Sequence, residues 1–174
     1  HVLDVAQSDK RLEVAYHLAD GKVTGTHLAP LKDLKGSLTL LNLRGTAITD
    51  ADLAQLKDLS ALTRLHLEKT AITDAGLVHL KGLANLEYLN LYGTQVTDAG
   101  LDQLVGLKKL KKLYIWQSKV TIAGVAKTQK ALTGLQIIPD LVADKKKEEA
   151  RVIALAAATK EAEALKPKAA ASKT

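Results

Sequence analysis

The chain contains no cysteine, no methionine and no phenylalanine, and its aromatic residues are limited to one tryptophan and four tyrosines. The lack of cysteine excludes disulfides, thiolate metal sites and covalent haem attachment. No apolar run approaches the roughly 18–20 residues that a membrane-spanning helix requires, so no span is predicted. Because the sequence starts at His1 and holds no methionine, we expect an upstream segment to have been removed, either as a cleaved export signal or by trimming.

Leucines recur along the chain with a fixed period. The segment that begins at Leu38 is repeated 24 residues later at Leu62 and again at Leu86, and a degraded copy begins at Leu110. A period of roughly 20–29 residues headed by L-x-x-L-x-L is the signature of leucine-rich repeats. The sequence therefore predicts an α/β fold, a short curved leucine-rich-repeat solenoid with parallel strands on the concave side and helices on the convex side.

Each repeat has a strand half and a helix half. Leucines alternate with polar or aromatic residues in the first half, as in a half-buried strand, and recur every three residues in the second half, which favours a short helix. A threonine before an aspartate supplies a helix N-cap and a carboxylate at the positive end of the helix, and a glycine near the C-terminus favours a left-handed residue. These positions are Thr49, Thr73 and Thr97 for the caps and Gly82 and Gly106 for the C-termini.

A hydroxyl side chain follows each strand half, where leucine-rich repeats usually carry Asn or Cys. We predict that these hydroxyls form a ladder that satisfies turn backbone groups between successive coils, a structural role. The positions are Thr46, Thr70, Thr94 and Ser118.

Two parts of the chain differ in composition. Residues 1–139 are predicted to form the leucine-rich-repeat domain, with about five repeats including the caps. Val14–Leu18 reads as the strand of an atypical first repeat, and residues 135–139 as a last strand that Pro139 stops. Residues 140–174 are rich in Ala, Lys and Glu, which predicts a helical tail as far as Pro167. This tail is either a solvated linker or a docking helix for a partner.

Side chains between the strand leucines point away from the core and define a concave surface. Four of the five aromatic residues fall at these positions, and Tyr, Trp and Arg are the side chains enriched at interface hot spots. We therefore predict a partner-binding surface, with the alternative that the aromatics cover the end of the sheet against the tail. The predicted binding residues are Arg44, Arg64, His66, Tyr88, Asn90, Tyr92, Lys112, Tyr114 and Trp116.

Other chemistries find little support in the sequence. His17 is predicted to extend the central row of the concave surface, but Asn42 separates it from His66, so no metal site is predicted. No nucleotide-binding, hydrolase or metalloprotease motif is present, so we predict no enzyme and no cofactor. Arg44, Arg64 and Lys112 do not form a dense basic stripe, and Glu68 dilutes their charge, so we predict no nucleic-acid partner.

The tandem pattern L-x-x-L-x-L-x-x-T-x-V/I-T-D-A-G-L-x-x-L-x-x-L, over about residues 12–138, resembles bacterial leucine-rich repeats close to the cysteine-containing subtype, with threonine in the cysteine place. The strand segments that lead to Arg44, Glu68, Tyr92 and Trp116 are similar to repeat regions of planctomycete and verrucomicrobial envelope proteins, in which repeats often follow a c-type cytochrome domain. The resemblance implies an extracytoplasmic role, in the periplasm or cell envelope, and a protein partner such as a c-type cytochrome or another envelope complex subunit. This chain itself has no C-x-x-C-H motif for haem.

Together these observations predict a non-catalytic protein-binding or scaffold module, and the resemblance implies a subunit of a cytochrome-linked envelope complex. A carbohydrate-binding module of the cell envelope is the first alternative, because Tyr and Trp faces can stack on sugars. A passive spacer between other domains is the second.

Overall fold

Seven strands form one sheet in which spatial order follows chain order. The computed structural model describes residues 2–6, 9–16, 22–139, 149–150 and 152–153. β1 is antiparallel to β2, and every later pair is parallel. The strands are β1 Val2–Ala6, β2 Asp9–Ala15, β3 Leu38–Asn42, β4 Arg64–His66, β5 Tyr88–Asn90, β6 Lys112–Tyr114 and β7 Gln136–Ile138. The predicted α/β solenoid with a parallel sheet is confirmed.

The helical halves are short, as predicted, and three of the described helical segments are 3₁₀ helices. The 3₁₀ segments are Gly25–Leu34, Asp50–Leu56 and Val78–Gly82, and the α-helices are α1 Asp74–Leu77, α2 Asp98–Asp102 and α3 Ile122–Ala131. The same three-residue spacing of hydrogen bonds continues beyond Asp50–Leu56, where the amide of Leu59 donates to the carbonyl of Leu56 at 3.0 Å and that of Leu62 donates to the carbonyl of Leu59 at 3.0 Å. Because a 3₁₀ helix has about 3.0 residues per turn, leucines spaced by three fall on one face of it.

The core is a double stack of these leucines. Leu65 and Leu89 of neighbouring strands are fully buried, as are Leu53 and Leu77 of the helical halves. Each repeat covers the apolar face of the one before it, so the strand layer and the helical layer share one continuous core.

Aspartates join successive helical halves. Asp74 begins α1, as predicted, but its carboxylate also crosses to the next repeat, where Oδ1 accepts from the Thr97 amide at 2.7 Å and Oδ2 from the Thr97 hydroxyl at 2.6 Å. The same pair of bonds is made at two further positions. These pairs are Asp50–Thr73 and Asp98–Thr121. The Asp–Thr bonds therefore couple three pairs of neighbouring repeats.

The glycine of each D-A-G segment makes room for that carboxylate. A Cβ atom on Gly100 would lie 2.3 Å from Asp74 Oδ1 and 2.8 Å from Val96 Cγ1. Gly76 stands in the same relation to Asp50, with a distance of 2.4 Å. Both are far below ordinary contact distances, so the repeated glycine is a packing requirement of the Asp–Thr bonds.

The predicted hydroxyl ladder is present, but its bonds lie within each repeat. The Thr94 hydroxyl is fully buried and donates to the Leu91 carbonyl at 2.7 Å, and Thr46 and Thr70 make the same bond three residues back. At Ser118 the hydroxyl oxygen instead accepts from the Val120 amide at 3.4 Å. The prediction of bonds between coils was wrong, because a threonine hydroxyl reaches its own turn carbonyl first.

Neither Gly82 nor Gly106 is left-handed, which corrects the prediction; among the described residues, four left-handed residues follow strands and a fifth, Gly134 with a φ of 89°, follows α3. The residue before each of these hydroxyl side chains has a positive φ: 66° at Gly45, 54° at Lys69, 67° at Gly93 and 57° at Gln117. Two of these four positions therefore carry a side chain in a region that favours glycine.

Replacing Gln117 with Gly should raise the free energy of unfolding by about 0.5–1 kcal/mol. The substitution relieves a left-handed conformation that costs an L-residue about 1–2 kcal/mol. Part of this gain is offset, because glycine gives the unfolded chain more conformational entropy. Urea unfolding of the two proteins measures the difference. The opposite change at the equivalent position of the preceding repeat, Gly93→Gln, should destabilise the protein. A lower free energy of unfolding for Gln117→Gly would contradict the proposed strain at this position.

The first repeat departs from the prediction. β2 ends at Ala15 instead of running through Leu18, and β1 precedes it as an unpredicted antiparallel strand. Ala15 lies opposite Asn42, so Ala15 and not His17 holds the position beside the central row; His17 itself lies outside the described residues. A terminal strand has no preceding repeat to fix its register.

The chain separates into two units, His1–Asp140 and Leu141–Thr174. In the second unit the described residues, 149–150 and 152–153, are helical, and Val152 and Ile153 are exposed. The end of the predicted tail helix at Pro167 lies outside the described residues. Within the part of the chain that the structure describes, no helix has the length and apolarity to cross a membrane.

Candidate functional site

Two rows of side chains cross the sheet on the face opposite the core. Strand register aligns Leu40, Arg64, Tyr88, Lys112 and Gln136 in the first row. The second row contains Asn42, His66, Asn90, Tyr114 and Ile138. Parallel pairing with no shift over β3–β7 keeps equivalent repeat positions side by side. Six of the nine predicted binding residues lie in these two rows, on the face that we call the concave face. The other three, Arg44, Tyr92 and Trp116, follow the strands and line one concavity with Asn90 and Tyr114 of the second row.

The buried centre of this face is a hydrogen-bonded group around Glu68. Glu68 Oε1 lies 2.9 Å from His66 Nδ1 and accepts from Asn90 Nδ2 at 2.7 Å. The residue is only 8% exposed, and its second oxygen, Oε2, has no hydrogen-bond partner among the described residues. Because His66 Nδ1 faces a carboxylate, the geometry favours the tautomer or ion in which this nitrogen carries the proton.

Asn90 also supports the backbone. Its Oδ1 accepts from the Tyr92 amide at 3.0 Å, as Asn42 Oδ1 accepts from the Arg44 amide at 3.1 Å. With its Nδ2 on Glu68, the Asn90 side chain is committed to contacts within the chain. Asn90 therefore holds Glu68 and the turn at Tyr92 in place, and its role as a partner contact stays a prediction.

Rings continue outward from this centre. The His66 and Tyr88 ring centroids are 4.8 Å apart, and those of Tyr88 and Tyr114 are 5.2 Å apart, both tilted. The Arg64 guanidinium lies over Tyr88 at 5.1 Å, a cation–π distance. These contacts hold the half-buried rings in fixed orientations, which lowers the entropy cost of binding to them.

The Tyr88 phenol lies in an environment that disfavours its ionised form. Burial raises the pKa of Tyr88, and the nearby Glu68 and Tyr114 add to the rise, while the Asn90 hydrogen bond and the Arg64 charge oppose it. Tyr88 is therefore a neutral hydroxyl at physiological pH, able to donate as well as accept.

Trp116 is an accessible aromatic side chain at the edge of this face. It is 66% exposed, and its ring meets Tyr92 edge-on at 6.5 Å between centroids. Together they border an open concavity of about 470 Å³, here called the Trp116 concavity. Its other lining residues are Arg44, Glu68, Asn90, Tyr114 and Ile138. A second concavity, of about 490 Å³, includes Arg64, Tyr88, Lys112 and Tyr114 in its lining.

The two concavities bring together eight of the nine predicted residues, and His66 lies between them through its contacts with Glu68 and Tyr88. Sequence reasoning missed the role of Glu68, which it treated only as a diluting charge. The sequence did contain a signal for this role. Glu68 holds the repeat position equivalent to that of Tyr92, which places the two residues side by side on the concave face. Within the described residues, no group of three or more His, Asp or Glu side chains could hold a metal ion.

Comparison with known proteins identifies the repeat. The leucine-rich repeat family matches residues 36–96 and 61–120, and no curated protein sequence matches the chain. Two internalins of Listeria monocytogenes have similar solved structures. InlF has 26% identity and a TM-score of 0.54, with 63% of this chain and 30% of that protein covered. Internalin C2 has 33% identity and a TM-score of 0.51, with 63% and 44% covered.

This chain thus spans less than half the length of either internalin. Leiomodin-1 actin-binding site 2 has a TM-score of 0.55 over 83% of this chain and 88% of that one, but with 15% identity the likeness is one of fold alone. The family match and the parallel sheet both indicate a leucine-rich repeat. The chain carries a leucine-rich repeat domain.

Proposed function

We propose that this chain is a non-catalytic binding module that holds a protein partner on its concave face. One observation carries the proposal: the only tryptophan is 66% exposed beside Tyr92 and Tyr114, in the turn that follows β6, where repeat packing requires no aromatic side chain. Exposed aromatics next to arginine have the composition of interface hot spots. Leucine-rich repeat proteins are generally binding scaffolds, which agrees with this use.

We further propose that the module acts outside the cytoplasm, in the periplasm or cell envelope of a bacterium, as a subunit of a larger complex. A c-type cytochrome or another envelope protein is the proposed partner. Support for this placement comes from the resemblance of the strand segments around Tyr92 and Trp116 to envelope repeat proteins.

A carbohydrate-binding module is the second candidate. The rings of Tyr88 and Tyr114 are half-buried, and that of Trp116 is exposed, so sugar faces could stack on them. Soluble glycans distinguish the two candidates: competition for the bound material favours a carbohydrate ligand, and its absence favours a protein surface.

The Tyr92→Ala/Trp116→Ala double variant should lose at least about tenfold in affinity for the partner, because it removes two neighbouring aromatic anchors. Retention of proteins from native bacterial envelope extract, read by mass spectrometry and haem staining, measures this. Val78→Ala, which trims a 44% exposed side chain in the helical half, is the matched control.

A protein kept by wild type and by Val78→Ala but lost by the double variant supports the concave face, and haem in that band supports a cytochrome partner. Equal retention by all three proteins would contradict the proposed surface. No retained protein at all would favour the spacer interpretation.

A further inference from the structure

The strongest unexplained feature of the molecule is the charge of Glu68. Its two hydrogen bonds, from His66 and Asn90, both meet Oε1, and Oε2 has no partner among the described residues. A buried carboxylate is costly unless an opposite charge or a full set of donors compensates it. His66 and Asn90 satisfy one oxygen only, so the carboxylate retains the capacity to attract a cation.

The aromatic rings near Glu68 would also favour a bound cation. Glu68 lies at the buried side of the Trp116 concavity, while Trp116 and Arg44 are at its exposed rim. Tyr92 and Trp116 meet at an interplanar angle of 72°, so two differently directed π systems border one space. Tryptophan is the strongest aromatic partner for a cation.

The chain already shows that one of these rings attracts an ammonium group. Lys69 Nζ lies 5.9 Å from the Tyr92 ring centroid. Arg44 lines the concavity too, but no ion pair joins it to Glu68 in the described part of the chain. Within the described residues Glu68 pairs with His66 alone, and that contact meets Oε1, so Oε2 is left for a cation supplied from outside those residues.

We propose that the Trp116 concavity receives a basic side chain of the partner protein, whose aliphatic stem packs on Trp116 and Tyr92 and whose cationic head is compensated by Glu68. This inference rests on the proposed function and adds the chemistry of the partner's anchor. The open volume of about 470 Å³ is sufficient for one long side chain. A neutral or acidic anchor would leave the Glu68 charge uncompensated.

Trp116 makes the proposal directly testable, since it is the only tryptophan in the chain and its fluorescence reports on this concavity alone. The full chain is titrated with N-acetyl-lysine-N-methylamide and N-acetyl-arginine-N-methylamide, and with the uncharged norleucine analogue of similar length. We expect saturable changes with the two basic probes, at least about tenfold tighter than with norleucine.

Glu68→Gln should weaken binding of the basic probes at least about tenfold and leave the norleucine response unchanged. Glu87→Gln is the matched control, because Glu87 pairs with Lys111 at 2.8 Å on an exposed edge outside the concavity. Arg44→Ala should tighten basic probes several-fold, since it removes a like charge from the rim. Thermal unfolding of each variant confirms that it is folded.

Equal affinity for norleucine and lysine probes, or an unchanged affinity in Glu68→Gln, would overturn the proposal. Looser binding after Arg44→Ala would overturn it too. Because the titration contains no partner protein, its failure does not affect the extract experiment. A failed extract experiment with positive titrations would instead leave a cation site without the proposed concave-face interaction.

Discussion

Replacing Gly100 with Ala is expected to lower the free energy of unfolding by about 2 kcal/mol, although alanine is the better helix former by about 1 kcal/mol. The new methyl group would lie 2.3 Å from Asp74 Oδ1 and 2.8 Å from Val96 Cγ1. To relieve this contact the carboxylate must leave its two bonds to Thr97. Losing charged hydrogen bonds and adding overpacking outweighs the gain in helix propensity. Urea unfolding monitored by circular dichroism measures the change.

Gly106→Ala is the matched control for this prediction. A Cβ atom on Gly106 would meet nothing within 4 Å, and its φ is not positive. The substitution should therefore change the free energy of unfolding by less than about 0.5 kcal/mol. Equal losses from Gly100→Ala and Gly106→Ala would mean that loss of glycine itself, and not the clash with Asp74, causes the effect.

Asp74→Ala is expected to cost about 2–3 kcal/mol, since it removes two short charge-assisted hydrogen bonds and leaves the half-buried Thr97 amide without its acceptor. The comparison is Asp102→Ala, which breaks an exposed ion pair with Lys127 at 2.6 Å. Exposed pairs contribute only about 0.2–1 kcal/mol, so the control should lose far less. Chemical denaturation of both variants gives the two values.

The double variant Asp74→Ala/Gly100→Ala connects these two predictions. Once the carboxylate is absent, the nearest contacts of the alanine methyl that remain are Val96 Cγ1 at 2.8 Å and Leu77 Cδ1 at 3.1 Å. The cost of Gly100→Ala should then fall from about 2 kcal/mol to well below 1 kcal/mol, a coupling typical of residues in direct contact. Strict additivity of the two losses would contradict the explanation of the D-A-G segment.

The sheet and its exposed face were predictable because they depend on a pattern that repeats without a gap. With a period of 24 residues, knowing that Leu65 is buried fixes Leu89 as its neighbour and assigns Arg64 and Tyr88 to one row. Register follows from the repeat alone, so alignment of the sequence segments is equivalent to alignment in space.

The helical halves were harder to predict, because leucines spaced three residues apart fit both an α-helix and a 3₁₀ helix. Nor does the sequence state that Asp74 reaches Thr97, since a helix-initial aspartate also has a local use at the N-terminus. Only the closeness of Gly100 to the carboxylate shows which contact the residue makes.

Glu68 was the main miss within the binding face. From the sequence it was interpreted only as a charge that dilutes the basic residues, yet it is 8% exposed. Its burial results from Asn90 in the next repeat and from the rings nearby, contacts that no local pattern encodes. The first repeat was misplaced for a related reason, because β2 has an antiparallel neighbour on one side in place of another repeat.

The identical contacts between successive repeats also determine how the concave face can become wider or narrower. The Asp50–Thr73, Asp74–Thr97 and Asp98–Thr121 contacts are the same junction made three times. Deleting one 24-residue unit would join Asp50 to Thr97 through an equivalent junction, and duplicating one would add an identical strand. Gene duplication or loss in steps of one unit can therefore widen or narrow the binding face by about 4.8 Å at a time without redesigning the core.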